Sequence, residues 1–166
     1  GEQEVDAAAN AIRSGWLTTG SVSAAFERDF ESYLGPGVHA VAVNSATAGL
    51  HLALEAAGIG PGDEVLVPTW TFTATAEAVR YLGADPILVD VDPNSLNIDL
   101  TAAAAAVTPR TRAMIPVHFA GLAVDRVALA DFATSHRIEI IEDAAHALAS
   151  TSCGTLVGSS TSRSTV

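Results

Sequence analysis

The 166-residue chain contains no lysine, since all eight of its basic residues are arginines. No side-chain amine is therefore available to form a Schiff base, and no lysine can bind a phosphate group. Nineteen aspartates and glutamates give a net charge of −11 at pH 7. Binding to nucleic acid or to an anionic membrane needs a basic face, so we expect neither partner. A small anionic ligand stays open, because local groups are enough to hold it.

Cysteine and long apolar runs are equally scarce. The single Cys153 excludes a disulfide framework and is typical of the reducing cytosol, so we expect a cytoplasmic protein. No apolar run approaches the roughly 18 residues of a membrane span, and no signal peptide is visible. We expect the sequence to be cut at both ends, because Gly1 is not a natural start and residues 159–166 stop without a turn or a helix cap.

The common loop motifs for nucleotides and for serine nucleophiles are also missing. Gly58, Gly60 and Gly62 follow a predicted helix rather than a strand, so they do not form a dinucleotide-binding loop. The sequence has no P-loop and no serine-centred nucleophile elbow. A site that binds an anion, or a catalytic site, must therefore be built from other residues.

The chain does have a regular alternation of helical and strand patterns, in a composition that is 49% hydrophobic. This alternation, with short connections, predicts a three-layer α/β fold: a mostly parallel sheet with helices on both faces. Ligands of such sheets bind beyond the carboxyl ends of the strands. The apolar spacing predicts helices at 2–14, 22–33, 46–57, 71–82, 99–107 and 125–136, and strands at 38–43, 64–67, 86–91, 113–117, 138–142 and, weakly, 155–157.

A polar segment joins the first predicted strand to the following helix. Ser45 or Asn44 can cap this helix, which leaves the amides of Ala46 and Thr47 pointing to the space above the sheet. With the helix dipole and the hydroxyls of Ser45 and Thr47, these amides form an anion site suited to a phosphate. An ordinary capped helix has the same pattern, so both interpretations stay open.

Other candidate residues follow later strands. Trp70 could stack on a planar ligand, although a core or lid residue has the same pattern. Asp143 points into the crevice, where its carboxylate could hold a cation or a protonated ring nitrogen. His146 lies on the same side if a helical turn begins there. An aspartate helix cap with a surface histidine is the alternative, and two ligands are too few to specify a metal site. His118 also follows a strand and could face the crevice.

The three strand-end features converge on one edge of the predicted sheet. A phosphate cradle, an aromatic face and a carboxylate suit a phosphorylated, planar, basic heteroaromatic compound, and pyridoxal 5'-phosphate is such a molecule. Its ring needs a protonated nitrogen to act as an electron sink, and a buried carboxylate stabilises that proton.

Seven segments in this order carry a family resemblance: 15–20 (GWLTTG), 44–50 (NSATAGL), 60–65 (GPGDEV), 68–72 (PTWTF), 90–92 (DVD), 115–121 (IPVHFAG) and 141–147 (IEDAAHA). Through them the chain resembles the N-terminal part of the large domain of the DegT/DnrJ/EryC1/StrS nucleotide-sugar aminotransferases, which are fold-type-I pyridoxal-phosphate enzymes. It is most similar to members that aminate 4-keto sugars, such as the one acting on a UDP-linked arabinose precursor. Their small C-terminal domain is absent from this sequence.

The resemblance implies how the cofactor would be held. Ala46 and Thr47 would bind its phosphate. Trp70 would stack on one face of the pyridine ring, with Ala145 near the other face. The family's usual amino donor is glutamate, and its acceptor is the keto group of a nucleotide-linked sugar.

The resemblance also implies roles around the edge of the ring and in substrate binding. Asp143 would pair with the ring nitrogen, and His146 would approach the phenolic oxygen. Thr18 and Thr19 belong to a loop that would lie near the sugar substrate. The usual assembly in the family is a homodimer, with sites near the subunit interface.

One departure from the family concerns the catalytic residue. The family holds its cofactor by a lysine that follows the EDAA segment at 142–145, beyond a serine that helps to bind the phosphate. The sequence stops at Val166, where that strand is expected to begin, so it contains no catalytic lysine and we expect no transaminase activity from it alone. Two alternatives stay open: a sugar dehydratase in which histidine replaces the lysine, and a non-catalytic binding or regulatory remnant.

Overall fold

A computed structural model of the chain describes residues 1–159 and 164–166. Its backbone forms two compact units, Gly1–Ala42 and Val43–Val166. Residues 160–163, which belong to the C-terminal stretch that we expect to end without a cap, lie outside the described part.

The first unit contains two helices, α1 (Glu2–Arg13) and α2 (Ser21–Leu34), and both confirm the sequence prediction to within one residue. Glu2 and Glu4 lie in the first turn of α1, and Arg13 lies in its last turn. These charges complement the helix dipole at both ends, which favours a helix that starts and stops at these residues.

The strand predicted at 38–43 is wrong, because the structure has no strand in this stretch. The amides of Ala40 and Ala42 donate hydrogen bonds to the side chains of Glu31 and Glu27, at 3.0 and 2.9 Å. These carboxylates of α2 replace the strand neighbour that a ladder needs. Val41, in the middle of the apolar run that suggested a strand, is 77% exposed.

The second unit is built around a parallel sheet. Its elements are α3 (Ala46–Ala56), β1 (Glu64–Pro68), α4 (Thr73–Tyr81), β2 (Asp85–Val89), α5 (Leu100–Ala106), β3 (Thr111–Met114), a 3₁₀ turn (Phe119–Gly121), α6 (Arg126–His136), β4 (Glu139–Glu142), β5 (Thr151–Ser152), β6 (Thr155–Leu156) and β7 (Ser164–Thr165). The strand order in the sheet is β2-β1-β3-β4-β7, and every neighbouring pair is parallel. A separate antiparallel hairpin joins β5 to β6.

Helices cover both faces of the sheet, as the sequence predicts. The central strand β1 is buried along its whole length. Val65 and Val67 pack into the cluster that contains the apolar residues of α3 and α4, whereas Leu66 packs with those of α5 and α6. Side chains alternate between the two faces of a strand, so both faces of β1 are buried under helices.

Polar side chains fix the starts of three helices. Ser45 accepts a hydrogen bond from the amide of Ala48 at the start of α3, at 3.2 Å. Asp99 and Asp125 cap α5 and α6 in the same way, each through two backbone amides. These caps satisfy amides that have no partner within the helix. The connections between strands and helices are thereby short and defined, and the carboxyl ends of the parallel strands meet at one edge.

Candidate functional site

A cleft of about 530 Å³ opens at the carboxyl edge of the sheet. Its walls come from the segments that follow β1, β3 and β4, which are neighbours in the sheet. The structure brings four of the six predicted cofactor residues together in this cleft. The lining residues are Thr69, Trp70, Thr71, Phe72, Val117, Phe119, Asp143, Ala145 and His146.

Asp143 lies directly after β4 and is only 7% exposed. Its backbone is fixed on both sides, because its amide donates to the carbonyl of Pro116 at 2.9 Å and its carbonyl accepts from the amide of His118 at 3.1 Å. These bonds extend the parallel pairing of β3 and β4 by one bridge, between Val117 and Asp143. The carboxylate is therefore held at the end of a rigid element.

The Asp143 carboxylate receives two hydrogen bonds from neutral donors. The hydroxyl of Thr75 donates to Oδ2 at 2.9 Å, and the amide of Ala145 donates to Oδ1 at 3.3 Å. Among the described residues, no arginine or histidine forms an ion pair with it. A carboxylate has about four lone-pair sites, so acceptor capacity is left for a positively charged donor in the cleft.

Aromatic rings form one wall of the cleft. Trp70 is 54% exposed and meets the ring of Phe119 edge-on, with centroids 6.1 Å apart. Phe119 in turn contacts the His146 ring edge-on at 6.4 Å. Edge-on contact with Phe119 orients the indole while its exposed area stays available to a planar ligand.

Ala145 and His146 reach the cleft from a single turn after β4. The amide of Ala147 donates to the carbonyl of Ala144 at 2.7 Å and closes this turn. His146, which the sequence places on the same side as Asp143, and Ala145, which the family resemblance places near one face of the ring, both line the cleft. Nowhere in residues 1–159 and 164–166 do three or more His, Cys, Asp or Glu side chains form a group that could hold a metal ion.

The start of α3 provides two backbone amides that have no acceptor among the described residues. Ser45 is the N-cap, and its carbonyl accepts from Gly49 at 3.1 Å. Within the described part of the chain, no group accepts a hydrogen bond from the amides of Ala46 or Thr47. Two unpaired amides at the positive end of an eleven-residue helix are suited to an anion.

Val166 lies between the start of α3 and the end of β4. Its amide donates to the carbonyl of Glu142 at 2.9 Å, and its carbonyl accepts from the amide of Ala144 at 2.6 Å. A Cβ added to Gly49 would lie 2.6 Å from a methyl carbon of Val166, so a side chain at this position would require Val166 to move. Gly49 therefore allows the first turns of α3 to approach the end of β4 closely, although Ala46 and Thr47 do not line the cleft.

Thr18 and Thr19 lie in the first unit, in the exposed loop between α1 and α2. The indole Nε1 of Trp16 donates to the carbonyl of Thr19 at 3.0 Å, which gives this loop a defined bend. A role of these threonines near a sugar stays a prediction.

His118 does not face the cleft, so that expectation is wrong. The side chain is buried, and its Nδ1 accepts from the amide of Val124 at 3.0 Å. The proton of the neutral ring is therefore on Nε2, which donates to a carboxylate oxygen of Glu142 at 2.8 Å. His118 thus ties the loop after β3 to the end of β4.

The acidic residues after β2 are engaged in their own turn. Asp92 accepts hydrogen bonds from the amides of Ser95 and Asn94, at 2.8 and 3.0 Å, and these bonds hold the pKa of Asp92 below its ordinary value. Asp90 accepts from the amide of Val91 at 2.9 Å. Neither side chain lines the cleft.

Sequence reasoning missed Thr75 and Phe119. Thr75 is fully buried yet hydrogen-bonds to Asp143, and Phe119 stands between two of the predicted ring-binding residues. A signal for Thr75 exists in the sequence, because Thr71 and Thr75 are four residues apart at the start of the helix predicted at 71–82, where this spacing places them on one face. Phe119 lies within the segment IPVHFAG, but the sequence favours its neighbour His118, because an imidazole can bind protons and ligands.

No helix in the described part of the chain is both long enough and apolar enough to cross a membrane.

A parallel sheet covered by helices on both faces, with a cleft at its carboxyl edge, is the architecture of the fold-type-I pyridoxal-phosphate transferases, and solved structures of such enzymes cover nearly the whole chain. The chain belongs to the DegT/DnrJ/EryC1/StrS aminotransferase family, whose pattern matches residues 1–166. The fold class and the family predicted from the sequence are thus both confirmed.

Individual relatives support the same assignment. The chain is 46% identical over 159 residues to the spore coat polysaccharide biosynthesis protein SpsC of Bacillus subtilis. The aligned residues are 96% of this chain and 41% of SpsC. It is 41% identical to 3-amino-5-hydroxybenzoic acid synthase, with a TM-score of 0.90 over 95% of this chain and 41% of the other. A putative sugar aminotransferase of Streptococcus pneumoniae, solved in its PLP-form, is 35% identical with a TM-score of 0.88 over 98% of this chain and 45% of the other. The chain therefore spans about two fifths of the length of these relatives.

Proposed function

We propose that this chain forms the cofactor-binding part of a pyridoxal-phosphate-dependent aminotransferase, which transfers an amino group from glutamate to the keto group of a nucleotide-linked sugar. The observation that carries the proposal is the Asp143 carboxylate, which is buried in the cleft without a cationic partner in the described part of the chain. The family assignment and the solved PLP-form of a relative support the same cofactor.

The residues present fit the cofactor by their chemistry. Pyridoxal phosphate has a dianionic phosphate, a flat ring and a basic ring nitrogen. The unpaired amides of Ala46 and Thr47 suit the phosphate, and the exposed indole of Trp70 suits a ring face, with Ala145 on the other side. Asp143 supplies a fixed anion for a protonated ring nitrogen.

When bound, pyridoxal phosphate supplies an electron sink for the transfer of the amino group. The contribution of this chain is to orient the ring and to keep a proton on its nitrogen. Asp143 stabilises that proton because an ionised carboxylate in a mostly buried site attracts a cationic donor more strongly than water does. His146, at the same edge of the cleft, is assigned to the phenolic oxygen.

The partners in the proposed function are an amino-acid donor and a nucleotide sugar, with Thr18 and Thr19 near the sugar and a homodimer as the assembly of the whole protein. These assignments rest on the family. A covalent link through lysine is not available in these 166 residues. We therefore assign cofactor binding, without transfer of an amino group, to this chain on its own.

A fluorescence titration tests the proposal. The chain has two tryptophans, and Trp16→Phe leaves Trp70 in the cleft as the only indole. Added pyridoxal phosphate is expected to quench the Trp70 fluorescence of this variant until binding saturates, because the cofactor ring stacks on the indole. Borohydride treatment followed by peptide mass spectrometry is expected to find no cofactor on any side chain.

The matched control is Trp70→Phe in the otherwise native chain, where Trp16 reports instead. Saturable quenching is expected in the Trp16→Phe variant alone. Equal quenching in both variants, or no saturable binding, would contradict the proposed site.

A further inference from the structure

Thr75 makes a hydrogen bond that its own helix does not require. It lies in the first turn of α4, is fully buried, and donates from Oγ1 to Oδ2 of Asp143 at 2.9 Å, across 68 residues of sequence. Two other helical hydroxyls bond back to a carbonyl four residues earlier: Thr134 to Ala130 at 2.9 Å and Ser32 to Arg28 at 2.8 Å. Thr75 uses its proton on the Asp143 carboxylate instead.

A second hydroxyl supports this bond. The Oγ1 atoms of Thr71 and Thr75 are 2.7 Å apart. A hydroxyl has one proton, and an ionised carboxylate only accepts, so the proton of Thr75 points to Asp143 and Thr71 donates to Thr75. The two threonines thus form a donor chain that begins at the lining of the cleft, where Thr71 lies, and ends on Asp143.

This chain fixes the rotation of a side chain whose backbone is already fixed. The backbone bonds of Asp143 to Pro116 and His118 set the position of its Cα, but they leave rotation of the carboxylate open. Thr75 on Oδ2 and the amide of Ala145 on Oδ1 hold both oxygens. The lone pairs that remain are then directed by the protein rather than by the ligand.

We propose that Thr75 is a positioning residue, which together with Thr71 holds the Asp143 carboxylate so that it meets a protonated ring nitrogen in the cleft. The inference rests on the proposed function, because it assigns Thr75 to the binding of the same cofactor. Thr75 does not touch the ring, and its effect passes entirely through Asp143. Loss of its hydroxyl therefore affects only ligands that have a basic ring nitrogen.

The test compares two ligands in three variants. The ligands are pyridoxal phosphate and its analogue with a benzene ring, in which a C–H group replaces the ring nitrogen. Thr75→Val keeps the shape and removes the donor, Thr75→Ser keeps the donor, and Thr71→Val removes only the supporting hydroxyl. Dissociation constants and melting temperatures are measured for each, with Trp16→Phe as the background.

We expect Thr75→Val to weaken binding of pyridoxal phosphate about tenfold, which corresponds to about 1.4 kcal/mol. Binding of the benzene analogue is expected to change less than about twofold, since the lost bond acts on the ring nitrogen alone. Thr75→Ser is expected to restore the affinity for pyridoxal phosphate. Thr71→Val is expected to weaken it about threefold, again without an effect on the analogue.

The outcomes separate the two claims. If the parent chain does not bind pyridoxal phosphate, the proposed function fails and this inference falls with it. If the parent binds but Thr75→Val weakens both ligands equally or neither, Thr75 has no positioning role and the proposed function stands. Should Thr75→Val fail to fold by its melting profile, an unchanged ratio of the two affinities in Thr71→Val overturns the inference instead.

Discussion

Two of the buried carboxylates, Glu64 and Asp143, lie at opposite ends of the parallel sheet and differ in what balances their charge. Glu64 begins β1, is 3% exposed, and bonds to the guanidinium of Arg110 and the hydroxyl of Thr108. Asp143 follows β4 and receives only neutral donors from the described residues. A buried carboxylate with a cation is a satisfied structural group, whereas one without a cation is suited to a charged ligand.

Breaking the ion pair of Glu64 with Arg110 is therefore expected to lower the stability of the fold without affecting the cleft. Arg110→Met is expected to lower the free energy of unfolding by about 2 kcal/mol, since it leaves a buried carboxylate without its cation. The matched control is Arg112→Met, which breaks the 3.4 Å ion pair with Asp63 at a more exposed site. That control is expected to cost less than about 1 kcal/mol.

Urea unfolding curves measure both changes, and the affinity for pyridoxal phosphate is expected to stay the same in both variants. Equal stability losses in Arg110→Met and Arg112→Met would show that burial of Glu64 carries no extra cost.

The sequence predicts the position of some site residues correctly and of others incorrectly, for a physical reason. Asp143 and Trp70 follow strands, so their place at the carboxyl edge comes from the parallel topology alone. Thr75 and His118 depend on side-chain direction within a packed interior, which strand and helix patterns do not fix. Thr75 thus contacts Asp143 without having been predicted, and His118 turns to Glu142 instead of the crevice.

At the scale of elements, the sequence predicts the helices correctly but predicts a strand at 38–43 that the structure does not contain. The caps Ser45, Asp99 and Asp125 act within their own helices, so local sequence determines where these helices begin. A strand needs a neighbour, and the amides at 40 and 42 find carboxylates of α2 instead. Apolar composition alone therefore indicated a strand at 38–43 that the structure does not contain.

The cap of α3 gives a prediction that joins stability to binding. Ser45→Ala is expected to lower the free energy of unfolding by about 1 kcal/mol, because Ala48 loses its acceptor. It is also expected to weaken binding of pyridoxal phosphate by about threefold, because a frayed helix start presents the amides of Ala46 and Thr47 less well.

Asp125→Ala is the matched control for this prediction, because Asp125 caps α6, whose residues do not line the cleft. A similar stability loss with unchanged affinity is expected. If Asp125→Ala weakens the binding of pyridoxal phosphate as much as Ser45→Ala does, the start of α3 has no specific part in phosphate binding.

At the scale of the whole molecule, the net charge of −11 and the absence of lysine place strict demands on any site for an anion. Backbone amides at a helix start meet that demand without a basic side chain. The chain spans about two fifths of the length of its relatives, so the proposed transfer of an amino group, its sugar substrate and its dimeric assembly concern the whole protein. Cofactor binding concerns the cleft described here.

We propose that Asp143 holds a proton on the ring nitrogen of pyridoxal phosphate, and nitrogen-15 NMR measures that proton directly. Cofactor labelled at the ring nitrogen is added to the chain, and its chemical shift is followed as the pH rises, with Asp143→Asn as the comparison. We predict that the bound ring stays protonated to a higher pH than the free cofactor, and that Asp143→Asn removes this difference. A bound ring nitrogen that titrates like the free cofactor, or equally in both proteins, would contradict this proposal.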